Sequence, residues 1–302
     1  AAPRPNPFNL NRSSSTLVQP NPSLPAMTTS SVPPTPEALP HAAYIAHSPR
    51  EVEATGLTRG PWDPRHQHAG PPIAMVCRAI EAVAAEQGLT HIGRLTGNLL
   101  RPLPIGRLDI EVNTDYAGRN AAHYSARVWG DGKELARFTA LAQRENALAL
   151  PGALEGHPLP QAPKTPADSA VTRMPFGQHT AGYADLVENR AARGRIFQGP
   201  SAIWFRLRSP LVEGEIPSGY QRVAVAADSG NGISAILDIG RYSFVNADIT
   251  INLLRRPVGE WVCIDARTLL APNGCGLSES QIFDEAGLVG RATQSLAVRS
   301  RD

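Results

Sequence analysis

The chain has 302 residues, of which 42% are hydrophobic, so it can bury a large core and is long enough for two domains. Its 29 basic and 27 acidic residues are interspersed and nearly balance, which favours neither nucleic acid nor a membrane surface as the main partner. Three cysteines are too few for a disulfide framework, and we find no apolar run long enough for a membrane span or a secretory signal. We therefore expect a cytoplasmic protein that binds a small molecule.

The N-terminal segment, residues 1–40, is rich in Pro, Ser and Asn and contains no acidic residue before Glu37. A segment of this composition cannot bury enough apolar surface to offset the entropy that it loses on ordering. We predict that it is disordered and that folded structure begins near residue 41.

Residues 41–150 predict one helix followed by long strands. Apolar residues recur at helical spacing over 71–88, with Pro at the start and Gly at the end. The sequence NLLRPLPIG follows at 98–106, and after it come three alternating runs, two of them joined by the hairpin signal Asp131-Gly132. The Pro-rich residues 151–181 predict a linker to a second domain.

Residues 182–302 repeat this order. A helix is predicted over 217–230, with the capping box SGYQ at its start and Gly230-Asn231-Gly232 at its end. NLLRRPVG follows at 252–259, and three more strand-like runs end near Arg299, two of them joined by Asp-Glu-Ala-Gly.

The two NLLR sequences mark a duplication. They begin 154 positions apart, at Asn98 and Asn252, and the last strands of the two halves end 155 positions apart, at Arg144 and Arg299. A segment of this length with the same order of elements is typical of a repeated domain. The sequence thus predicts an α+β fold of two tandem units, each with one central helix wrapped by an antiparallel sheet.

Five segments carry a resemblance to a known family: TRGPWDPRHQHAGPP (58–72), RSPLVEGE (208–215), QRVAVAADSGNGIS (221–234), NADITINLLRRPVGEW (246–261) and GRATQSLAVR (290–299). The chain resembles the thioesterase-like superfamily of double hot-dog acyl-CoA thioesterases, which is related to the bacterial type II acyl-CoA thioesterases. The resemblance covers roughly residues 41–302. It implies a tandem double hot-dog that hydrolyses acyl-CoA without a cofactor, as a monomer or as a homo-oligomer of double hot-dog units.

A thioester hydrolase needs an activated water and donors for the developing oxyanion. The chain has no G-x-S-x-G sequence that would provide a serine nucleophile, so we expect a carboxylate. Asp228 falls in the last turn of the second predicted helix, where the helix dipole disfavours a negative charge and raises proton affinity. Asp228 matches the catalytic Asp of the type II enzymes, although the residues alone would also allow it to bond the turn that follows.

Two amides accompany Asp228 in the predicted site. Gln294 lies on the apolar face of its alternating strand and matches a catalytic Gln of the type II enzymes, whereas the offset of 155 puts Thr139 in its place in the first half. Asn246 stands where that family has a Thr, a departure that puts the family's catalytic triad partly in doubt. Asp248 alternates onto the same face as Asn246, so it is both a candidate for substrate binding and a rival for the role of the catalytic carboxylate.

The segment RHQHAGPP, residues 65–72, leads into the first helix. Two His at positions i and i+2, without a cluster of Cys or carboxylates, are weak evidence for metal, so no metal is expected. We predict instead that His68 and Gly70 line the acyl-CoA groove.

Two other functions stay open at this point. A hot-dog acyl-CoA hydratase or dehydratase would pair an acid with a His, and no His is near Asp228 in sequence, so the fold would have to bring His123 or His179 to it. A non-catalytic acyl-CoA binding protein is the other alternative, favoured by the missing Thr. Assays with acyl-CoA distinguish the three.

Overall fold

A computed structural model of the chain describes residues 39–149, 151, 159–176 and 180–301. The predicted disorder of residues 1–40 falls almost entirely outside these residues. Glu37–Asp302 form one compact unit.

The first half contains a 3₁₀ turn at Gly56–Thr58 and one long helix among six strands. The helix is α1 (Gly70–Glu86), which confirms the helix predicted over 71–88. The strands are β1 (Tyr44–Ala46), β2 (Glu51–Ala54), β3 (His91–Leu99), β4 (Arg107–Ala117), β5 (Ala121–Gly130) and β6 (Lys133–Gln143).

Within its described residues, the second half contains eight strands and three helices. The helices are α2 (Tyr183–Leu186), α3 (Gly219–Ala227) and α4 (Gly230–Ile233). The strands are β7 (Ala170–Thr172), β8 (Val187–Arg193), β9 (Ser201–Leu207), β10 (Tyr242–Asn246), β11 (Asp248–Leu253), β12 (Val262–Leu270), β13 (Cys275–Asp284) and β14 (Gly287–Ser300). β7 lies within residues 151–181, the predicted linker, and pairs with β8.

The predicted hairpins are present. Asp131 and Gly132, which join β5 to β6, both have positive φ (49° and 70°), as a two-residue type I′ turn requires. The turn between β13 and β14 is formed by Glu285 and Ala286.

The fourteen strands of the described residues belong to one antiparallel sheet, in which β3 and β11 join the two halves. The order is β1-β2-β4-β5-β6-β3-β11-β14-β13-β12-β9-β8-β7, and β10 pairs with β14 beside β11. Thr96 of β3 lies opposite Thr250 of β11, 154 positions away. On either side of this pair, Asn98 lies opposite Asp248 and Arg94 lies opposite Asn252. Adding the offset of 154 to the first-half residue of one pair gives the second-half residue of the other. Each half therefore meets the other about a local pseudo-twofold axis that passes between the two threonines.

This pairing also corrects the predicted register. Thr139 lies opposite Thr96, and Thr293 lies opposite Thr250, so the offset in the sheet is 154 rather than 155. A shift of one residue moves a side chain to the other face of a strand. The counterpart of Gln294 is therefore the buried Ala140, and Thr139 is on the exposed face.

The sheet surrounds the pair α1 and α3, which pack against each other. Ten residues of α1 are buried, among them Ile73, Met75 and Ile80, in line with its apolar spacing. Gly70 lets the start of α1 approach the end of α3, because a Cβ at this position would lie 2.4 Å from the Val225 carbonyl oxygen. The two helices therefore meet with their opposite ends adjacent.

Two details of the second predicted helix differ in the structure. Ser218 caps α3 by accepting a hydrogen bond from the Gln221 N–H at 3.1 Å, but the Gln221 side chain donates to Glu81 of α1 instead of completing a capping box. Gly230–Ile233, the predicted stop, forms the helical turn α4, so Asp228 lies between two helices.

No helix within the described residues is long and apolar enough to cross a membrane.

Candidate active site

Asp228 is the C-cap residue of α3, and its carboxylate is held by both halves of the chain. His68 Nδ1, from the segment before α1, lies 2.9 Å from Asp228 Oδ2. Asn246 Nδ2, at the end of β10, donates to Asp228 Oδ1 at 2.7 Å. The side chains of His68 and Asp228 are only 11% and 4% exposed. A carboxylate this deeply buried persists only with such partners.

The charge state of Asp228 differs from the prediction. Burial raises the pKa of the Asp228 carboxyl, but the attraction of His68 and hydrogen bonds from His68, Asn246 and the Gly70 N–H outweigh burial and leave the pKa below its usual value. The predicted increase in proton affinity considered only the C-terminus of the helix that carries Asp228. It missed the N-terminus of α1, whose positive end faces the same carboxylate. Asp228 is therefore an ionised acceptor.

His68 is fixed by contacts on its face and at its backbone. Its ring stacks on the Tyr183 ring, with the two centroids 3.8 Å apart and the planes at 6°. The backbone N–H of His68 donates to the Thr58 carbonyl at 2.7 Å. The Tyr183 hydroxyl is itself bonded to the Val225 carbonyl and to Ser229. The prediction placed His68 in the substrate groove but did not anticipate its pairing with Asp228.

Gln294 is buried on the inner face of β14, as predicted. Its Oε1 accepts from the Asn231 N–H at 3.0 Å, and its Nε2 donates to the Asp228 carbonyl at 3.1 Å. Nε2 also lies 3.5 Å from Asp228 Oδ1. The amide thus ties the turn between α3 and α4 to the sheet and adds a donor beside the carboxylate.

Asn246 and Asp248, predicted to share a face, point to opposite sides. Asn246 lies opposite Leu296, whereas Thr250 lies opposite Thr293, so one extra residue is accommodated near Ala247 as a β-bulge. Asn246 therefore reaches Asp228, and Asp248 turns away from it. The Asp248 carboxylate accepts from the N–H and hydroxyl of Ser295. The structure does not bring Asp248 to the site.

Gly70 is at the site, but it faces Asp228. Its N–H contributes a hydrogen bond to the Asp228 carboxylate and lies 3.2 Å from His68 Nδ1. An ionised carboxylate can only accept hydrogen bonds, so in the contact between His68 and Asp228 the proton is on His68 Nδ1. Gly70 therefore stabilises the carboxylate, whereas the prediction had it bind the substrate.

A cavity of about 470 Å³ opens beside this pair, a volume within the usual range of small-ligand sites. Its polar lining includes His68, Asp228, Asn231 and Asn246, together with Asp63, His66, Gln67, Arg101 and Ser229. The apolar side chains that line it include Trp62, Leu103, Met174, Phe176 and Phe197. A cavity lined by both apolar side chains and polar groups suits a ligand with a hydrocarbon part and a reactive polar group.

The other histidines of the sequence lie elsewhere or serve other contacts. His66 lines the cavity but lies 3.6 Å from Asp63, and His123 is exposed on β5. His179 lies outside the described residues. No group of three or more metal-binding side chains occurs among the residues that the structure describes.

The sequence did not predict the pairing of His68 with Asp228, because these residues are 160 positions apart. It also did not identify Tyr183 or Asn231 as residues of the site. One signal was available. Antiparallel packing of the two predicted helices would have placed the start of the first, with RHQHAG, at the end of the second, with Asp228.

Two family models match the chain. The N-terminal domain of acyl-CoA thioesterase matches residues 58–143, and the C-terminal domain of acyl-CoA thioesterase matches residues 156–298. The second match begins within the predicted linker. Together the two ranges cover well over half of the chain. Among curated proteins, none matches it significantly.

Solved structures show the same fold at low identity. A protein provisionally identified as a thioesterase from Novosphingobium aromaticivorans is 20% identical, with a TM-score of 0.63 over 84% of this chain and 98% of the other. A hot-dog protein of unknown function from Alicyclobacillus acidocaldarius is 15% identical, with a TM-score of 0.65 over 87% and 98%. The acyl-CoA thioesterase II TesB2 from Mycobacterium marinum is 15% identical, with a TM-score of 0.59 over 86% and 96%. The fold is thus of the hot-dog type. With both domain models matched in order, the chain belongs to the acyl-CoA thioesterase family and is a thioester hydrolase.

Proposed function

We propose that this enzyme hydrolyses an acyl-CoA thioester in the cavity beside Asp228, with the carboxylate, Asn246 and Gln294 as parts of the catalytic site. The observation that carries the proposal is the buried, ionised Asp228 in the lining of a cavity whose other walls include apolar side chains. The apolar walls would hold the acyl chain while the thioester lies beside Asp228. Water held there is activated for attack on the carbonyl carbon.

The architecture that supports this site is a tandem double hot-dog, with one unit in residues 41–150 and the other in 182–302. The symmetric pairing of β3 with β11 and the packing of α1 against α3 support two equivalent units. The catalytic groups are not duplicated, since Ala140 stands in the place of Gln294. One active site per chain follows, with His68 from the first unit and Asp228 from the second.

The test is release of CoA from a panel of acyl-CoAs, followed with a thiol reagent. The wild-type protein is expected to release CoA, and Asp228→Asn is expected to lose about 10²-fold or more in kcat. Asp248→Asn tests the rival carboxylate and is expected to retain activity, because that carboxylate bonds Ser295 away from the cavity. Full activity in Asp228→Asn would overturn the assignment of the site.

A second candidate reaction is favoured by one observation, the contact between His68 and Asp228. An acid paired with a His is the arrangement expected of a hot-dog hydratase, and the fold supplies it with His68. The same panel, extended to enoyl-CoAs, distinguishes the reactions. Loss of the conjugated double bond without release of CoA would indicate hydration, and binding without either change would indicate a non-catalytic binding protein.

A further inference from the structure

The orientation of His68 leaves one ring nitrogen free at the cavity. Nδ1 carries a proton toward the Asp228 carboxylate, so a neutral ring has its lone pair on Nε2. His68 lines the cavity, and within the described parts of the chain no protein group hydrogen-bonds Nε2. Stacking on Tyr183 holds the ring in this orientation. A water that reaches Nε2 from the cavity therefore meets a fixed acceptor.

Asp228 is less suited to take a proton itself. Its two oxygens accept from His68 and Asn246, with the Gly70 N–H and Gln294 Nε2 also close to them. Its side chain is almost fully buried, and the hydrogen bonds stabilise the charged form. A carboxylate whose oxygens already accept from several donors is a weak general base. The same features suit a group that orients a neighbouring imidazole and stabilises its charged form.

We propose that His68 Nε2 takes the proton from the attacking water and that Asp228 is its positioning partner. This inference rests on the proposed hydrolysis of acyl-CoA at this cavity. It assigns the proton transfer to a residue of the first half, across the contact between the two units.

The reaction balances with these groups alone. The water oxygen forms a bond to the thioester carbonyl carbon while one water proton moves to Nε2, and the carbonyl π electrons move to the oxygen. The intermediate then re-forms the C=O bond and breaks the C–S bond. The proton on Nε2 moves to the departing sulfur, which leaves as the CoA thiol. The imidazolium formed between these steps lies against the Asp228 carboxylate, where it is stabilised.

The test is His68→Asn, which separates a catalytic from a structural role. The Asn amide nitrogen can occupy the place of Nδ1 and keep the hydrogen bond to Asp228, but the variant has no group at Nε2. We expect kcat for acyl-CoA hydrolysis to fall about 10²- to 10⁴-fold, with little change in KM and in the far-ultraviolet circular dichroism spectrum. If kcat stays within about threefold of wild type, Asp228 or another group takes the proton and the inference is wrong.

A pH profile adds a readout that a structural role would not change. Wild-type kcat/KM is expected to fall on the acid side because a protonated imidazole cannot accept, and His68→Asn is expected to lose that limb. The titratable groups in contact with the ring are Asp228 and Tyr183, and Asp63, His66 and Arg101 also line the cavity. An unchanged acid limb in His68→Asn would assign it to one of these groups and contradict the proposal.

The matched control is His123→Asn, the same substitution at an exposed His on β5, which is expected to keep wild-type kcat. If His68→Asn loses its fold, His68→Gln is measured instead, since its amide reaches the position of Nε2 without being a base; wild-type kcat in that variant would overturn the inference. Failure of the underlying function looks different. In that case the wild-type protein itself would release no CoA from any acyl-CoA.

Discussion

Replacing Gln294 with Met is expected to destabilise the protein strongly, since it removes an amide that satisfies two backbone groups of the turn after α3. Met has a similar length and no branch, so it fills the same space without the hydrogen bonds. The Asn231 N–H would lose its acceptor at 3.0 Å, and the Asp228 carbonyl would lose its donor at 3.1 Å. Gln294 is 2% exposed, so water cannot replace either partner.

The size of the effect follows from these two groups. A buried polar group left without a partner costs about 1–3 kcal/mol, and the third contact, at 3.5 Å, is too long to add much. Burial of the apolar Met side chain stabilises the folded state by roughly 1 kcal/mol. We expect the free energy of unfolding to fall by about 3 kcal/mol, which corresponds to a decrease of roughly 6 °C in Tm at about 2 °C per kcal/mol for a chain of this size.

Urea denaturation followed by tryptophan fluorescence measures the change. The control is Thr293→Ala, one position away on the exposed face of the same strand, which is expected to change stability by less than about 0.5 kcal/mol. If Gln294→Met unfolds with the free energy of the wild type, the amide does not carry these hydrogen bonds. The account of how the α3–α4 turn is held would then be wrong.

Three further predictions concern the two helices and the sheet. Gly70→Ala is expected to lower the free energy of unfolding by about 1–3 kcal/mol, because the new Cβ would lie 2.4 Å from the backbone oxygen of Val225; an unchanged urea midpoint would show that the helices have room to separate. Burial raises the pKa of Glu81, so the folded state binds this proton more tightly than the unfolded state and wild-type stability falls as pH rises from the ordinary carboxyl pKa through the raised one. Glu81→Gln should not show this loss of stability with rising pH. If thermal melts give the same dependence of Tm on pH for the two proteins, the prediction is wrong. Asp284→Ala should cost about 3 kcal/mol, because the Asp284 side chain is fully buried and accepts two hydrogen bonds of 2.6 Å from Arg255; a urea-midpoint change near zero would count against a structural role.

The elements were predictable because their signals are local. Helical spacing over 71–88 and strand alternation after each NLLR depend on neighbouring residues, and both appear in the structure close to the predicted bounds. The cap at Ser218 was predictable for the same reason. The burial of Gln294 followed from alternation alone.

The contacts of the site were not predictable in this way. His68 and Asp228 meet only because α1 and α3 pack with opposite ends adjacent, which is a tertiary fact. The bulge near Ala247 places Asn246 and Asp248 on opposite faces, although simple alternation would put them on the same face. No residue type in NADIT indicates the bulge. The charge state of Asp228 depends on the α1 N-terminus, so reasoning from its own helix alone gave the wrong sign.

The joining of β3 and β11 within one chain has a genetic consequence. In a dimer of two identical single units, one codon specifies both positions that the twofold axis relates, so any change at one site occurs at the other. Here Gln294 and its counterpart Ala140 are encoded separately, and each can change alone. A gene that carries both halves can thus keep a symmetric core around Thr96 and Thr250 while the residues beside Asp228 change in one half only.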